Sequence, residues 1–195
     1  STATIYKHSV DRPMDEAGEI GATPAVKDEF SVEVAQAWEQ ALNEAPTPQT
    51  RRIALRTAMV LGPKGGVFPV LRRLVKFGLG GQMAGGLQYV SWLHETDFCR
   101  AIAWLMNAQT ISGAVNLAAP NPVPNRELMR ILRQVCNVPV GLPATTWMLE
   151  IGAFLLGTET ELILKSRRVV PARLLASGFE FKFPDLREAL ENLNG

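Results

Sequence analysis

RIALRTAMVL at residues 52–61, followed by GPKGG at residues 62–66, is the stretch that decides the class of fold. A short apolar run bounded by turn residues is typical of a buried strand. Strands that carry apolar residues on both faces occur in parallel sheets, which helices cover on both sides. The stretch therefore predicts a buried parallel strand in an α/β protein.

Helical patterns lie on both sides of this strand. Asp28 is a candidate N-cap for a helix that runs to about residue 44. The apolar residues expected to share one face of this helix are Phe30, Val34, Ala37, Trp38 and Ala41. A second helix is predicted over 67–77, and the glycines of GLGG at 78–81 end it.

The second half of the chain is richer in helical patterns. An extended piece at 88–93 precedes a helix that Thr96 caps and that reaches about residue 107, and a strand follows at 114–118. The remainder is predicted to be mainly helical. Its helices are expected at 125–136 with Asn125 as the cap, 145–156, 159–165, 172–177 and 185–193.

Composition and charge exclude several classes of partner. The chain has 195 residues and a net charge of +1, so we expect neither nucleic acid nor a membrane surface as a partner. The apolar stretch at 147–156 is interrupted by Glu150 and is too short to span a bilayer. Cys99 and Cys136 fit no metal-binding or redox spacing. We expect both as buried free thiols in a reducing, cytoplasmic compartment.

The predicted strands are too few for a complete sheet. Only 52–61 and 114–118 are predicted as strands, whereas a doubly wound sheet needs about five or six. The chain also starts at Ser1 without an initiator methionine. These observations predict an incomplete sheet. Its open edge would be covered by a second copy, giving a homodimer, or by a segment upstream of Ser1.

Four motifs, taken in order along the chain, carry a resemblance to one enzyme family. STATIY at 1–6 resembles the segment after that family's fifth strand, and LRTAMVLGP at 55–63 resembles its sixth strand. WLHETD at 92–97 resembles the element that opens a late helix, and GAVNLA at 113–118 resembles the strand behind it. The family is that of the extended short-chain dehydrogenases/reductases, of which this chain resembles an atypical member.

Further motifs are similar to one subgroup, the NAD-dependent epimerase/dehydratase-like proteins, which are also described as sugar-nucleotide epimerase-like. These proteins close with a helical domain of unknown function. The matching motifs are WE at 38–39, GLGG at 78–81, QYVSWLH at 88–94, RVVPARL at 168–174 and GFEFKFP at 178–184.

The resemblance implies a fold and a cofactor. Residues 1–120 would be the C-terminal part of a Rossmann-like, doubly wound parallel sheet, and residues 121–195 a small helical lobe over the substrate. Family members receive NAD(P) at a G-x-G-x-x-G turn before a helix, and this chain contains no such turn. GLGG at 78–81 follows a helix and precedes none, so it does not fit phosphate binding. Most contacts with NAD(P) are therefore expected from residues upstream of Ser1.

The family's usual acid–base pair is missing from the sequence. Typical members place Tyr-x-x-x-Lys on one helix, where the tyrosine transfers the proton and the lysine lowers its pKa. Counted back from WE at 38–39, these positions hold Ser31 and Ala35. A serine hydroxyl is a far weaker acid than a phenol, and alanine carries no charge, so these residues cannot replace the pair.

Thr2 matches the family's catalytic hydroxyl, and the resemblance implies that it orients a substrate oxygen. The alternative is that Thr2 only caps a strand end. Extended members also place two strand ends beside the nicotinamide. The residues that the resemblance implies for cofactor binding are Thr2, Ala3, Thr57, Met59 and Val60.

Later segments fold the substrate pocket in extended members. The residues expected to line it here are Tyr6, Lys64, Arg72, Gln88, Trp92 and His94. Lys64 lies among glycines, and Arg72 could bind a phosphate or could equally belong to the solvated face of a helix. His94 is either a proton donor near the substrate or a structural residue before the next helix, and the structural interpretation is preferred.

Two functions from different classes remain. The first is an NAD(P)-dependent, nucleoside-diphosphate-sugar epimerase-like oxidoreductase that lacks the Tyr-x-x-x-Lys pair and acts on a nucleotide-sugar-like small molecule. The second is a non-catalytic dinucleotide-binding or regulatory protein that keeps the fold, because a fold alone does not determine an activity. Neither function calls for a metal.

Overall fold

A computed structural model describes residues 1–24, 28–144 and 165–195. The helices predicted at 145–156 and 159–165 lie outside the described residues, except for Lys165. The strands are β1 (Ile53–Thr57), β2 (Met59–Leu61), β3 (Tyr89–Val90), β4 (Trp92–His94), β5 (Gly113–Leu117) and β6 (Val123–Pro124). The helices are α1 (Glu29–Glu44), α2 (Val67–Lys76), α3 (Glu95–Asn107), α4 (Asn125–Val135), α5 (Ala172–Ala176) and α6 (Leu186–Asn194). A 3-10 helix, Ala3–Ile5, precedes them.

Parallel strand pairing confirms the expected α/β class. β1 pairs with β5 in a register that matches Ile53 to Gly113 and Thr57 to Leu117. β2 pairs in parallel with β4, and β3 pairs with β6 in the antiparallel direction. Helices separate the parallel partners along the chain, as a parallel crossover requires.

The single strand predicted at 52–61 is wrong in one respect, because it divides at Ala58 into β1 and β2. The Ala58 amide still donates to Leu117 O at 2.9 Å, whereas the next amide, that of Met59, donates to Ser91 O at 3.2 Å. The chain thus changes its pairing partner at this residue. An apolar run shows the burial of a strand but not which neighbour it pairs with.

The outer edge of β1 is largely open. Thr2 bridges to Thr57 on this side. Among residues 1–24, 28–144 and 165–195, no strand pairs with this edge farther back, from Ile53 to Arg56. Ser1, Trp38 and β1 residues line a shallow cleft of about 330 Å³ there. The homodimer or upstream segment expected to cover this edge stays a prediction.

Helix α1 does not bury the face that its sequence pattern indicated. Phe30 is 74% exposed and Trp38 is 56% exposed, whereas Val32 and Ala35 are buried. Ala35 packs with Ala3 and Ile5 of the 3-10 helix in one apolar cluster. Small side chains permit that close approach, so packing against the first residues of the chain decides which face lies inward.

Two larger apolar clusters form the remaining core. One joins β2 and α2 to α4 and α6, and the other joins α3 and β5 to the segment around Phe179. Both clusters combine residues from before and after position 120. The predicted division into 1–120 and 121–195 stays a prediction, and the core is continuous across it.

The glycines of GLGG have a packing role. A Cβ on Gly81 would clash with the carbonyl carbon of Leu142, and one on Gly141 would lie 2.6 Å from that of Gly80. The backbones of the two segments are joined by hydrogen bonds from the Gly81 amide to Leu142 O and from the Leu142 amide to Gly78 O. The motif therefore admits a second chain segment at close range.

Several local predictions need correction. Thr96 and Asn125 lie inside their helices, whose N-caps are His94 and Pro124. The Asn125 side chain instead accepts from the Met83 amide at 2.8 Å, which explains its position at the start of α4. Cys99 is exposed and Cys136 is half-buried, so the expectation that both thiols are buried is wrong for Cys99.

Candidate functional site

The carboxyl end of β1 brings together residues that the family resemblance implied for the cofactor. Because Thr2 pairs with Thr57, the first residues of the chain lie beside the end of this strand. Thr2 Oγ1 accepts a hydrogen bond from the Thr4 amide at 3.2 Å and caps the 3-10 helix. It also donates to the Thr4 hydroxyl at 3.2 Å. Thr2 therefore has a capping role, and it is only half-buried.

The other residues implied for the cofactor differ in exposure. Ala3 is buried beneath the turn. Thr57, Met59 and Val60 are half-buried, the last two in β2. Contact of these residues with a nicotinamide stays a prediction.

Tyr6 lies at the centre of a buried polar network. Its hydroxyl donates to Asn116 Oδ1 at 2.8 Å and accepts from Arg56 Nη1 at 2.9 Å. Arg56 donates from Nε and Nη2 to the two carboxylate oxygens of Glu39, at 2.8 and 2.9 Å. Ser1 Oγ donates to the same carboxylate at 2.7 Å. The network ties the start of the chain to α1, β1 and β5.

Electrostatics keep the Tyr6 phenol neutral. Burial raises the pKa of Tyr6, and hydrogen bonding to Arg56 opposes this shift only in part. Burial also acts to raise the pKa of Glu39, but hydrogen bonds from Arg56 and Ser1 outweigh it and leave that pKa below its usual value. Tyr6 is 1% exposed, and its hydroxyl both donates and accepts a hydrogen bond within the network. Its predicted contact with a substrate would require this network to open.

Sequence reasoning missed the network, although a signal was present. Each of four motifs contributes one polar side chain to it, namely Tyr6, Glu39, Arg56 and Asn116. Buried polar groups in proteins nearly always have hydrogen-bond partners. Arg56 and Asn116, which lie in otherwise apolar strands, therefore indicated buried polar partners, but the sequence did not show which ones.

The positions that the resemblance assigns to Tyr-x-x-x-Lys, Ser31 and Ala35, both lie in α1, and the assignment itself stays a prediction. Ser31 is half-buried, and Ala35 is fully buried against the 3-10 helix. Neither side chain can exchange a proton near neutral pH. The described part of α1 thus supplies no general acid or base at these two positions.

The geometry of His94 matches the structural interpretation. Its Nδ1 accepts from the Thr96 amide at 3.0 Å and caps α3, so the ring proton resides on Nε2 and is donated to Asn192 Oδ1 at 3.2 Å. The ring stacks on Phe183 with 4.0 Å between centroids. Burial lowers the pKa of His94, and the hydrogen bond to Asn192 opposes this only in part.

Two other residues predicted for the substrate are buried and hydrogen-bonded. Gln88 Nε2 donates to Met83 O at 2.9 Å, and Trp92 Nε1 donates to Asn121 O at 3.0 Å. Both side chains lie in the interior. These contacts favour a role in holding the loops that follow α2 and β5.

Lys64 and Arg72 lie at the surface. Lys64 is exposed in the turn after β2, and Arg72 is half-exposed on α2. Neither side chain hydrogen-bonds to another of the described residues. Both are available to an anionic group, and their contact with a substrate stays a prediction.

Lys165 and Asp28 were missed by sequence reasoning. They form an ion pair in which both side chains are 0% exposed. Lys165 Nζ also donates to Thr4 O at 2.7 Å, in the turn that Thr2 caps. Asp28 was expected only as a helix cap, and Lys165 was expected at the end of a helix. No periodicity indicated that they would meet.

Titration of His94 is expected to make stability depend on pH. The folded-state pKa is lowered, so the unfolded chain binds the proton more readily below the ordinary pKa of about 6.5. The contribution is therefore fully present above about pH 6.5 and declines as the pH falls, by at most about 1.4 kcal/mol per pH unit. Urea unfolding between pH 7.5 and 5 should show a shallower slope for His94→Asn, whose amide can still cap α3.

The matched control is His8→Asn, because His8 also has a pKa lowered by burial and by nearby Lys165. This variant keeps His94 and should retain the His94 share of the slope. An unchanged slope in His94→Asn would contradict the interpretation of His94 as a buried neutral cap.

Neither a metal-binding cluster nor a membrane-spanning helix is found among the described residues. Within 1–24, 28–144 and 165–195, no cluster of three or more His, Cys, Asp or Glu side chains could hold a metal ion. No helix in these same ranges is both long and apolar enough to cross a membrane.

Known protein families and sequences include several that are similar to this chain. Residues 144–193 match the model of the family described as a domain of unknown function, DUF1731. An epimerase family protein of Mycobacterium leprae is 33% identical over 192 residues, which is 97% of this chain and 59% of that protein. One of Staphylococcus saprophyticus is 33% identical over 166 residues, 85% of this chain and 54% of that protein. The chain thus spans between half and two thirds of these relatives.

Solved structures give the same result for the fold. A human epimerase family protein, crystallised with NADPH, superposes with a TM-score of 0.87 at 24% identity, covering 100% of this chain and 63% of that one. A nucleoside-diphosphate sugar epimerase from Corynebacterium glutamicum superposes at 0.77 with 29% identity, covering 100% and 36%. The resemblance derived from the sequence is thus confirmed: the chain is a homologue of the epimerase family proteins, with their Rossmann-like fold and a DUF1731 segment at residues 144–193.

Proposed function

We propose that the chain forms part of an NAD(P)-dependent, epimerase-like oxidoreductase that acts on a nucleotide-sugar-like small molecule in the cytoplasm. The observation that carries the proposal is the pairing of Thr2 with Thr57 at the carboxyl end of a parallel strand. Ligands of open α/β sheets bind outside the carboxyl ends of their strands. The human relative with a known NADPH complex has the same fold.

In this proposal, each part of the site has a separate task. Thr2 orients a substrate oxygen through its hydroxyl. Ala3, Thr57, Met59 and Val60 contact the nicotinamide end of the cofactor, and residues outside this chain bind most of the dinucleotide. Bound NAD(P) supplies the hydride chemistry, whereas this chain supplies orientation. Lys64 and Arg72 are free to bind an anionic part of the substrate.

A second candidate is a non-catalytic dinucleotide-binding or regulatory protein. The observation in its favour is the absence of an acid–base group where the family needs one. Ser31 and Ala35 occupy the positions of the tyrosine and lysine, and Tyr6 is held neutral in a buried network. A protein with this arrangement could bind NAD(P) and a sugar nucleotide without turnover.

The test uses the full-length protein, nicotinamide fluorescence for binding, and a panel of nucleotide sugars for hydride transfer. We expect NADPH to bind and Thr2→Val to reduce kcat/KM about 100-fold, or about 3 kcal/mol, because the orienting hydroxyl is lost. Thr2→Ser keeps the hydroxyl and should retain most of the activity. Ser31→Ala is the matched control and should leave activity unchanged.

The outcomes separate the two candidates. NADPH binding without turnover on any member of the panel would favour the non-catalytic protein. A thousand-fold loss in Ser31→Ala would show that α1 supplies the acid–base group after all. Failure to bind NADPH or NADH would contradict both candidates.

A further inference from the structure

The ion pair between Lys165 and Asp28 joins two distant parts of the chain. It lies beside the 3-10 helix Ala3–Ile5 and its N-cap Thr2, together called the Thr2 turn. Both side chains are 0% exposed. Asp28 stands immediately before α1, and its Oδ1 accepts from the Thr23 amide at 2.6 Å. Lys165 lies 161 residues after Thr4 in the sequence. The Lys165 ammonium donates a hydrogen bond to the carbonyl oxygen of Thr4 at 2.7 Å. The ammonium therefore bridges the start of α1 and the turn that carries Thr2.

Attachment of the segment at 165–170 does not depend on this ammonium. Ser166 Oγ donates to Ser9 O at 2.6 Å, and the Ser166 amide donates to His8 Nδ1 at 3.0 Å. The Val169 amide donates to Ser91 Oγ at 2.7 Å. A buried lysine is costly, and uncharged residues of similar volume often serve as well or better in such a place. Mere anchoring therefore gives no physical reason for a lysine here.

The Thr2 turn, by contrast, has few bonds of its own. The Ile5 amide donates to Thr2 O at 3.2 Å, and the Thr4 amide donates to Thr2 Oγ1 at the same distance. Short 3-10 helices have poorer hydrogen-bond geometry than α-helices. The charge-assisted bond to Thr4 O, at 2.7 Å, is shorter than the hydrogen bonds within the turn, which measure 3.2 to 3.4 Å. It therefore fixes the turn from outside, through the backbone of Thr4.

We infer that Lys165 is a positioning residue that holds the Thr2 hydroxyl in place, with Asp28 orienting its ammonium. This inference rests on the proposed function, in which Thr2 faces the substrate. It assigns to the C-terminal segment a share in building the site at the opposite end of the chain.

The experiment uses the full-length protein and four variants, with hydrogen exchange at the amides of residues 3–6 measured by mass spectrometry. Lys165→Met removes the ammonium but leaves Asp28 buried without its partner. Asp28→Asn/Lys165→Met removes both charges and should recover most of the thermal stability. Asp28→Asn alone keeps the bond from Lys165 to Thr4 O. Lys7→Met is the matched control, because Lys7 pairs with Glu19 in an exposed ion pair close by.

In the double variant we expect exchange at residues 3–6 to stay at least about tenfold faster than in the wild type, since Thr4 O still lacks its donor. Lys7→Met should exchange like the wild type. A double variant that recovers both stability and slow exchange would overturn the inference, because the pair would then be only structural. This test does not require Lys165→Met to fold, because the decisive exchange rates are those of the double variant.

NADPH affinity is measured on the same proteins. We expect the double variant to bind NADPH at least about tenfold more weakly than Lys7→Met, which corresponds to about 1.4 kcal/mol. If the wild type binds neither NADPH nor NADH, the proposed function fails, while the exchange data still decide whether Lys165 fixes the turn.

Discussion

The Arg56→Met variant is expected to lose about 3–5 kcal/mol of unfolding free energy, measured by urea denaturation at pH 7. Arg56 is 6% exposed and donates two bonds to Glu39 and one to Tyr6. Methionine keeps an unbranched apolar side chain in place of the aliphatic part of arginine but supplies no donor. The substitution leaves a carboxylate and a phenol oxygen largely buried and short of partners, which is the costly way to break such a network.

Two further variants test whether the loss of unfolding free energy comes from the buried network or from the removal of any arginine. Arg56→Met/Glu39→Met removes both charges and should recover a substantial part of the loss. Arg130→Met breaks an exposed pair with Glu127 on α4 and should leave stability unchanged. If Arg56→Met costs less than about 1 kcal/mol, the buried pair is not what holds the first residues of the chain to β1.

The Asp97→Ala variant is expected to lose about 3 kcal/mol or more, because one buried carboxylate satisfies three donors. Asp97 is 0% exposed and accepts from the Lys182 and Phe183 amides at 2.8 Å each. Arg100 donates to it at 2.7 Å. Without the carboxylate, both amides lose their acceptor, and the loop that carries Phe183 is released from α3.

The effect should extend to His94, which stacks on Phe183. Two-dimensional NMR of the imidazole protons should show His94 shifting in Asp97→Ala. Asp185→Ala is the control, since Asp185 is an exposed N-cap of α6 in the same segment. Loss of this cap is worth about 1 kcal/mol and should leave His94 unchanged. Equal losses in the two variants would mean that Asp97 acts only as a helix-terminal charge.

Much of the fold was predictable because burial and turn chemistry are local. The strand at 114–118 was predicted within one residue of β5, and the helix at 172–177 within one residue of α5. Glycine and proline placed the turns correctly. The division of 52–61 at Ala58 was not predictable, since it depends on which strand lies alongside.

The errors on α1 and at the helix caps have one cause. The apolar stripe that contains Phe30 and Trp38 is typical of the buried face of a helix, but both residues are exposed. The 3-10 helix instead packs against the small side chain of Ala35. Thr96 is a good capping residue by composition, but His94 already accepts its amide. The buried face of α1 depends on residues that are distant in the sequence. The start of α3 depends on a histidine side chain that acts as the cap.

The candidate site was predictable only through the family resemblance. That resemblance brought Thr2 and Thr57 into one place, and the structure pairs them. It gave no indication of Lys165 or Asp28, because a buried ion pair leaves no periodic pattern. Nor did it indicate that Tyr6 would be enclosed by Arg56 and Asn116, which approach from two different strands.

The junction between the first residues and the segment at 165–170 also bears on biosynthesis. Thr4 and Lys165 are separated by 161 residues, and Tyr6 and Asn116 by 110. At about 5–20 residues per second, a ribosome needs roughly 8–30 s to reach Lys165 after Thr4. Until then the apolar side chains of Ile5 and Tyr6 lack their final neighbours and are open to chaperones. The turn that carries Thr2 can therefore reach its final packing only after the segment at 165–170 has been synthesised.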